Sequence, residues 1–340
     1  MRSHHSASSL RFKLVGGILI GASVAGAILA YAFKNPPNNE SHDKKASPSN
    51  DPPEPNLEDD DIVPEKSGEF ILQKEDDGNT LALLELNGIK LAGWTHVGKK
   101  RTNNQDSFRL NKVDDQILAI VCDGMGGHAG GEIASQIAAD TLWNVLSKRI
   151  GDQAQDTYHT MVEALERADA AINQRASKDK DLTGMGTTAV LASIQRTSYV
   201  HSYLGDSRLY HCRDGAFIYQ TLDHSVVRYL VEEGVISEEE AKEHPYRSQL
   251  TSSLGGGPRS NKLTVDPKWD SKETPLRDWE IGDWLLLCSD GLNSELEDHE
   301  ILEAFSQCEE PKEAILALKK QVLRTPARDN VTLIVAQRTN

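Results

Sequence analysis

Two patterns of apolar and polar positions along this chain predict a folded domain over residues 69–340. Short apolar runs bounded by turn residues predict strands, whereas longer stretches with apolar residues three and four apart predict helices. The predicted strands are 117–121, 187–194, 199–204, 284–288 and 331–336, and the predicted helices are 131–149, 160–176 and 314–322. Because helices come in pairs and strands in runs, this order favours an α+β fold of antiparallel sheets over a doubly wound sheet.

The first 68 residues lack the alternation of strand and helix patterns that marks the rest of the chain. Residues 1–13 form a short basic tail, and residues 14–33 carry no charged side chain over a length that spans a bilayer as one helix. Residues 34–68 are rich in Pro, Asp, Glu, Asn and Ser and predict an extended, disordered linker. We expect a retained anchor. The alternative is a cleaved signal peptide, because the Ala-Tyr-Ala at residues 30–32 resembles a cleavage site.

Charge and cysteine content narrow the classes of function. The formal net charge of −15 argues against nucleic acid as a partner, because phosphate backbones require clustered Lys and Arg. The four cysteines include no Cys-x-x-Cys pair, which disfavours a zinc or redox site. Cys122 and Cys288 each end an apolar run, so we interpret them as small buried strand residues.

Five aspartates stand at the ends of strands or in the turns beside them. The most informative, Asp123, closes an apolar run and opens a glycine-rich turn, where backbone carbonyls can approach a ligand closely. A carboxylate beside exposed carbonyls is a site for a hard cation such as Mg²⁺ or Mn²⁺. A single aspartate in such a place is more often a turn-forming residue, but turn formation alone is a poor explanation for five of them. They are Asp106, Asp123, Asp206, Asp290 and Asp329.

The motifs around these aspartates resemble, in order, those of the metal-dependent protein phosphatases of type 2C, and specifically their bacterial serine/threonine branch. The resemblance covers about residues 91–337. It is carried by Thr95-His96-Val97-Gly98 with Arg101, Asn104-Gln105-Asp106, Asp123-Gly124-Met125-Gly126-Gly127-His128, Gly184-Met185-Gly186-Thr187-Thr188, Gly205-Asp206-Ser207-Arg208, Asp223-His224-Ser225, Ser289-Asp290-Gly291-Leu292 and Asp329-Asn330-Val331-Thr332.

The resemblance implies a four-layer α/β/β/α sandwich of two antiparallel sheets flanked by helix pairs. It also implies a centre of two Mn²⁺ or Mg²⁺ ions, with a third ion held more weakly. Asp123 would bridge the two ions, the Gly124 carbonyl would serve one, and Asp290 and Asp329 the other. Asp206 corresponds to the position that binds the third ion.

The remaining site residues follow from the same resemblance. Arg101 would hold the substrate phosphate, for which a planar, bidentate guanidinium is suited, and Asp106 would orient metal-bound waters. A water bridging the ions would attack phosphorus in line as hydroxide. His128 is the candidate general acid for the leaving alkoxide. Animal members carry a histidine directly after the Asp-Gly, where this chain has Met125, and the other interpretation of His128 is a histidine bonded to backbone at a helix entry.

The expected activity is hydrolysis of phosphoserine and phosphothreonine on proteins, in opposition to a Ser/Thr kinase. We expect a monomer whose partners are phosphoproteins, the kinase or its targets. Residues 226–250 resemble the flap beside the active site and are expected to be mobile and to affect substrate choice. The alternative functions are a catalytically silent sensor or binding module, and a phosphatase that controls anti-sigma antagonists. Every side chain inferred to bind a metal ion is an Asp, which disfavours the silent relative.

The sequence leaves the orientation of the anchor open. Basic residues are equally numerous on the two sides of residues 14–33, so the positive-inside rule does not decide. We expect the catalytic domain on the cytoplasmic face because phosphoproteins and their kinases are mostly found there.

Overall fold

The computed structural model describes residues 71–74, 80–127, 129–257 and 263–340, which form two antiparallel sheets and seven α-helices. The first sheet contains, in spatial order, β1 (Ile71–Lys74), β2 (Thr80–Leu86), β3 (Ile89–His96), β14 (Val331–Arg338), β13 (Trp284–Cys288), β9 (Arg208–Arg213) and β10 (Ala216–Gln220). The second contains β11 (Leu254–Gly255), β6 (Gly186–Thr187), β5 (Gln116–Met125), β7 (Ala189–Ile194), β8 (Ser198–Leu204) and β12 (Leu276–Asp278), and β4 (Asp106–Val113) pairs with β5.

The helices lie in chain order between these strands. They are α1 (Gly130–Arg149), α2 (Ala154–Ser177), α3 (Val226–Glu232), α4 (Glu238–Lys242), α5 (Asp290–Asn293), α6 (Asp298–Ser306) and α7 (Pro311–Val322), with a short 3₁₀ turn at Lys180–Leu182. Helices α1 and α2 pack on the second sheet, and α6 and α7 pack on the first. The predicted helices therefore exist, each somewhat longer than its apolar pattern, and α6 was not predicted.

Three apolar clusters show that the molecule has four layers. One cluster lies between α1, α2 and the second sheet, another between α6, α7 and the first sheet, and a third between the two sheets. Strand β5 serves two of them, since Leu118 and Ile120 face the helices and Ile117 and Ala119 face the first sheet. Its continuous apolar run is thus explained by burial on both faces. The predicted α/β/β/α sandwich is confirmed.

Residues 226–250 form a small helical unit between β10 and β11 in the chain. It contains α3 and α4, and its two ends are joined by a bridge between Ser225 and Leu250. The Ser225 and Ser237 hydroxyls cap α3 and α4 by accepting hydrogen bonds from backbone N–H groups. The predicted flap is therefore a helical hairpin closed at its base.

The N-terminal predictions fall outside this part of the chain. The tail, the anchor at residues 14–33 and the linker at residues 34–68 belong to the residues that are not described. Within the described ranges, none of the helices has the length and apolarity needed to span a bilayer.

Packing of α7 on the first sheet gives a matched test of core energetics. Leu318 is fully buried and Leu316, two residues earlier, is 45% exposed. We expect Leu318→Ala to lower the free energy of unfolding by about 2–5 kcal/mol, because it removes buried methyl groups and leaves a cavity. Leu316→Ala is the control and should change it by less than about 0.5 kcal/mol. Urea denaturation followed by circular dichroism measures both, and equal losses in the two variants would contradict the assignment of the buried face.

Candidate metal centre

Four of the five candidate aspartates reach one edge of the sandwich through paired strands. Asp106 begins β4 and lies directly opposite Asp123 on β5. Asp290 follows the end of β13, and Asp329 precedes the start of the neighbouring antiparallel strand β14, so these two also lie at one end of a strand pair. The carboxyl groups of Asp123 and Asp290 lie next to each other, which brings the edges of the two sheets together here.

Mutual repulsion shapes the electrostatics of this edge. Burial raises the pKa of Asp123 well above its usual value, and the negative charges of Asp106, Asp290, Asp206 and Asp329 add to the effect. Burial likewise raises the pKa of Asp290 to about 6, with Asp329 as the leading charged neighbour. Carboxyl groups that resist ionisation together are groups that a nearby cation would stabilise as carboxylates.

Asp106 is held by two hydroxyl groups. Ser289 Oγ and Thr332 Oγ1 each donate to Asp106 Oδ2 at 2.7 Å, while the buried Oδ1 has no hydrogen-bond partner. Burial raises the pKa of Asp106 to about 7, against the opposing effect of these two hydrogen bonds, and the charges of Asp290 and Asp329 raise it further. One oxygen is therefore fixed and the other is free to accept from a water or face a cation.

Asp206 lies in the turn after β8, and its surroundings differ from those of the other four. Desolvation raises its pKa, and the charges of Asp290 and Asp223 raise it further, while Arg208 opposes them. Arg208 is engaged elsewhere, because its Nε and Nη2 atoms donate to the two Asp223 oxygens at 2.7 and 2.8 Å. Asp206 thus stands at the margin of the carboxyl cluster.

Arg101 reaches the cluster from the loop between β3 and β4. Its Nη2 atom donates to Asp329 Oδ2 at 2.8 Å, and both side chains are partly exposed. The other oxygen of Asp329 accepts from the Asn330 backbone N–H at 2.8 Å. The guanidinium is therefore positioned at the solvent side of the carboxyl cluster.

Glycines allow the backbone to come close at Gly124. A Cβ atom there would lie 2.1 Å from the Gly131 carbonyl oxygen and 2.5 Å from that of Gln105. A Cβ atom on Gly131 would in turn lie 2.8 Å from the Gly124 carbonyl oxygen. Side chains at these two positions would push apart the start of α1 and the end of β5, so the close packing of these two elements at Gly124 depends on both glycines.

The residues present fit divalent cations, although they are not arranged as a finished coordination shell. In the part of the chain that the structure describes, no three His, Cys, Asp or Glu side chains form a ready-made metal cluster. Asp329 forms an ion pair with Arg101, and Asp123 lies next to Asp290. The donor set is nevertheless all oxygen, it includes the unpartnered Asp106 Oδ1, and its carboxyl groups repel one another. These are the properties of a site for Mg²⁺ or Mn²⁺.

A cleft of about 830 Å³ opens from Asp206 and Asp290 toward the flap. Its walls carry charges of both signs, including Arg228, Arg247 and Arg328. Lys242 of the flap also lies 3.4 Å from Glu297 across the cleft. The part of the site formed by Asp206 and Asp290 is therefore accessible to a side chain that projects from a polypeptide.

Several residues of the motifs support the site in ways that the sequence did not reveal. Ser289 and Thr332 hold Asp106, Asp223 holds Arg208, and the Asn330 side chain bonds the loop that carries Arg101. A polar residue next to an apolar strand indicates that such a residue has a partner, but it does not identify the partner, which lies far away in sequence. His128 lies outside the described residues, so its role as general acid stays a prediction.

The raised pKa of Asp106 predicts how the metal-free protein responds to pH. An unfolded Asp ionises near pH 3.9, so between that pH and about 7 the folded state keeps a proton that the unfolded state loses. Stability therefore falls as the pH rises through this window. We expect Asp106→Asn to raise the melting temperature in chelator at pH 8, with a difference that shrinks toward pH 5. Differential scanning calorimetry measures both.

The exposed Asp115, in the turn between β4 and β5, provides the control. Asp115→Asn should not alter the pH dependence of the melting temperature. An Asp106→Asn protein that is less stable than the wild type in chelator at pH 8 would contradict the proposed repulsion.

Comparison with known proteins agrees with this geometry. The protein phosphatase 2C family model matches residues 92–323. The serine/threonine protein phosphatase PstP of Mycobacterium tuberculosis is 37% identical over 250 residues, covering 73% of this chain and 45% of PstP. The serine/threonine phosphatase stp of Listeria monocytogenes is 32% identical over 253 residues, covering 72% of this chain and 94% of stp. This chain thus spans less than half the length of PstP.

Solved structures are similar to this one as well. The crystal structure of M. tuberculosis PstP superposes with a TM-score of 0.64 at 34% identity, covering 74% of this chain and 99% of that one. The catalytic domain of PstP in complex with two manganese ions gives a TM-score of 0.62 at 32% identity, with the same coverage. The family model covers most of the chain, and the same motifs build the edge described above. The chain belongs to the protein phosphatase 2C family.

Proposed function

We propose that this protein hydrolyses phosphoserine and phosphothreonine on proteins with the help of two Mn²⁺ or Mg²⁺ ions. The observation that carries the proposal is the convergence of acidic side chains from both sheets on one edge, with Arg101 at its solvent side. The names of the relatives support the reaction type, and the manganese complex of PstP supports the metal.

The carboxylates would hold the ions from two sides. Asp123 is suited to bridge them, because its carboxyl group contacts Asp290 and feels the charges of all four other aspartates. The Gly124 carbonyl would serve one ion, and Asp290 and Asp329 the other. Asp206, at the margin, would hold a third ion more weakly. Asp106 would accept from a water through its free Oδ1, since Ser289 and Thr332 fix the other oxygen.

The chain's own groups supply the remaining steps. When bound, the two cations activate a water as nucleophile and draw charge off the phosphoryl oxygens. Arg101 would leave Asp329 and bind two phosphoryl oxygens, which orients phosphorus for in-line attack. His128 would give a proton to the leaving serine or threonine oxygen, and the open cleft would accept the rest of the polypeptide.

The cellular context is part of the proposal. The substrates would be phosphoproteins, and the enzyme would act against a Ser/Thr kinase or its targets, as a monomer. Residues 14–33 would anchor it in the membrane with the catalytic domain in the cytoplasm, where such substrates are found. The apolar run at residues 14–33 supports a membrane anchor, and the linker that follows it would let the catalytic domain reach substrates away from the membrane surface.

Turnover of p-nitrophenyl phosphate by the full-length protein tests the reaction. We expect activity with Mn²⁺, loss of that activity in EDTA, and recovery when Mn²⁺ is restored. Asp123→Asn should lower kcat/KM by at least about a hundredfold, since it removes the shared carboxylate of both ions. Asp115→Asn is the matched control and should behave as the wild type. Turnover that does not require metal, or an Asp123→Asn variant with the kcat/KM of the wild type, would contradict the proposal.

Labelling of the linker tests the orientation of the anchor. In a Cys308→Ser background, which removes the one partly exposed cysteine, a Ser47→Cys variant places a single reactive thiol before the domain. We expect a membrane-impermeant maleimide to label it only after spheroplasts are lysed. Labelling of intact spheroplasts would place the linker outside, and a soluble product shortened at residue 32 would show a cleaved signal peptide instead.

A further inference from the structure

The loop at residues 97–105, between β3 and β4, is held by one buried side chain from the far end of the sequence. Asn330 Nδ2 donates to the Val97 carbonyl at 2.8 Å and to the Asn103 carbonyl at 3.0 Å. Asn330 Oδ1 accepts from the Gln105 backbone N–H at 2.8 Å. One amide thus engages both ends of the loop, and Asn330 is only 3% exposed.

The backbone of Asn330 is fixed on its other side by the metal-centre segments. Its N–H donates to Asp329 Oδ1, and its carbonyl lies where a Cβ atom on Gly291 would approach it to 2.0 Å. Gly291 directly follows Asp290. The Asn330 side chain therefore joins the loop to a turn that is already packed against two of the proposed ligands.

Arg101 lies within this loop and has few other constraints. Its side chain is about half exposed, and its single described contact is the one with Asp329. A guanidinium that must present two donors to a phosphate depends on the position of its backbone. The first half of the loop is also tied to residues 323–327 through Lys99, but the half that returns to β4 is tied to the Asn330 turn through Asn103 and Gln105.

We propose that Asn330 is a positioning residue for phosphate binding, which acts by fixing the loop that carries Arg101. This inference rests on the proposed function, since it assigns Arg101 to the substrate phosphate. The side-chain amide of Asn330 is engaged by three backbone groups of the loop and not by a side chain of the carboxyl cluster. It sets the distance between Arg101 and the carboxyl cluster, and so couples the phosphate-binding group to the metal-binding edge.

Hydrogen exchange of the metal-free, full-length protein tests the structural half of the inference. Asn330→Ala removes all three side-chain hydrogen bonds, and peptides covering residues 97–105 should exchange at least about tenfold faster. Asn144→Ala, on the exposed face of α1, is the matched control and should exchange as the wild type. An unchanged loop in Asn330→Ala would overturn the inference, and this readout does not depend on catalysis.

A double-mutant cycle tests the functional half. With Mn²⁺ present, Asn330→Ala should raise KM for p-nitrophenyl phosphate and Ki for inorganic phosphate by about tenfold, equivalent to about 1.4 kcal/mol. The kcat value should change much less. The same variant combined with Arg101→Ala should be no worse than Arg101→Ala alone, because Asn330 acts through Arg101. Effects that multiply would show independent action and overturn the inference.

Two further measurements separate the remaining explanations. Asn330→Asp is nearly isosteric and keeps the acceptor for Gln105 but not the two donors, so it should reproduce the rise in Ki if Asn330→Ala folds poorly. A folded Asn330→Asp protein with wild-type Ki would overturn the inference. Calorimetric titration with Mn²⁺ alone should show that Asn330→Ala binds Mn²⁺ with the affinity of the wild type. If Asn330→Ala instead binds Mn²⁺ more weakly and phosphate with unchanged affinity, Asn330 belongs to the metal site and the inference is overturned. If the wild type lacks turnover, the proposed function fails. Hydrogen exchange of residues 97–105, and calorimetric titration of the Mn²⁺-loaded protein with inorganic phosphate, still test the role of Asn330 in that case.

Discussion

The crowding of carboxyl groups at one edge of the sandwich is the constraint on which the rest of the site depends. Asp106, Asp123 and Asp290 each have a raised pKa, first because protein surrounds them and then because other carboxyl groups lie nearby. Such groups would move apart in a flexible chain. They stay together because β5, β13 and β14 are central strands with apolar packing on both faces, so the carboxyl groups project from a rigid frame.

The contacts that hold these carboxyl groups are mostly neutral. Ser289 and Thr332 donate hydroxyls to Asp106, and Asn330 supplies an amide to the neighbouring loop. Neutral donors fix a carboxylate without cancelling its charge, which leaves that charge available for a cation. Arg101 is the exception, and it stands at the solvent side, where it can leave Asp329. The charged pair of Arg208 and Asp223 lies beside Asp206, at the margin of the cluster.

Sequence patterns predicted the parts of this structure that depend on local periodicity. The apolar runs located β5, β8, β13 and β14, and the helical spacing located α1, α2 and α7. The helix α6 was missed because it has only nine residues, too few for its apolar spacing to repeat over several turns. The aspartates were found because each stands beside a strand or a glycine turn, which is a local signal.

The relations between distant residues could not be read from the sequence. Asp106 opposes Asp123 only because of the register of β4 on β5, and Asn330 meets Val97 across 233 positions of sequence. A side-chain amide that bonds three backbone groups leaves no periodic pattern. The metal-ligand assignment stays a prediction, and contacts among the proposed residues, such as that of Asp329 with Arg101, depend on packing between distant parts of the chain.

The two buried cysteines beside the carboxyl edge have a consequence for metal choice. Cys122 precedes Asp123 and Cys288 lies two residues before Asp290, yet both thiols point into the apolar layers under the helices. Burial raises the pKa of Cys288 to about 12 and that of Cys122 higher still, so both stay protonated. Soft ions such as Zn²⁺ and Cu⁺ bind thiolates strongly. By turning its sulfur inward, the fold leaves oxygen as the donor that the described aspartates present at this edge, which is the ligand type that Mg²⁺ and Mn²⁺ prefer, and it offers no thiolate there to favour a soft ion such as Cu⁺.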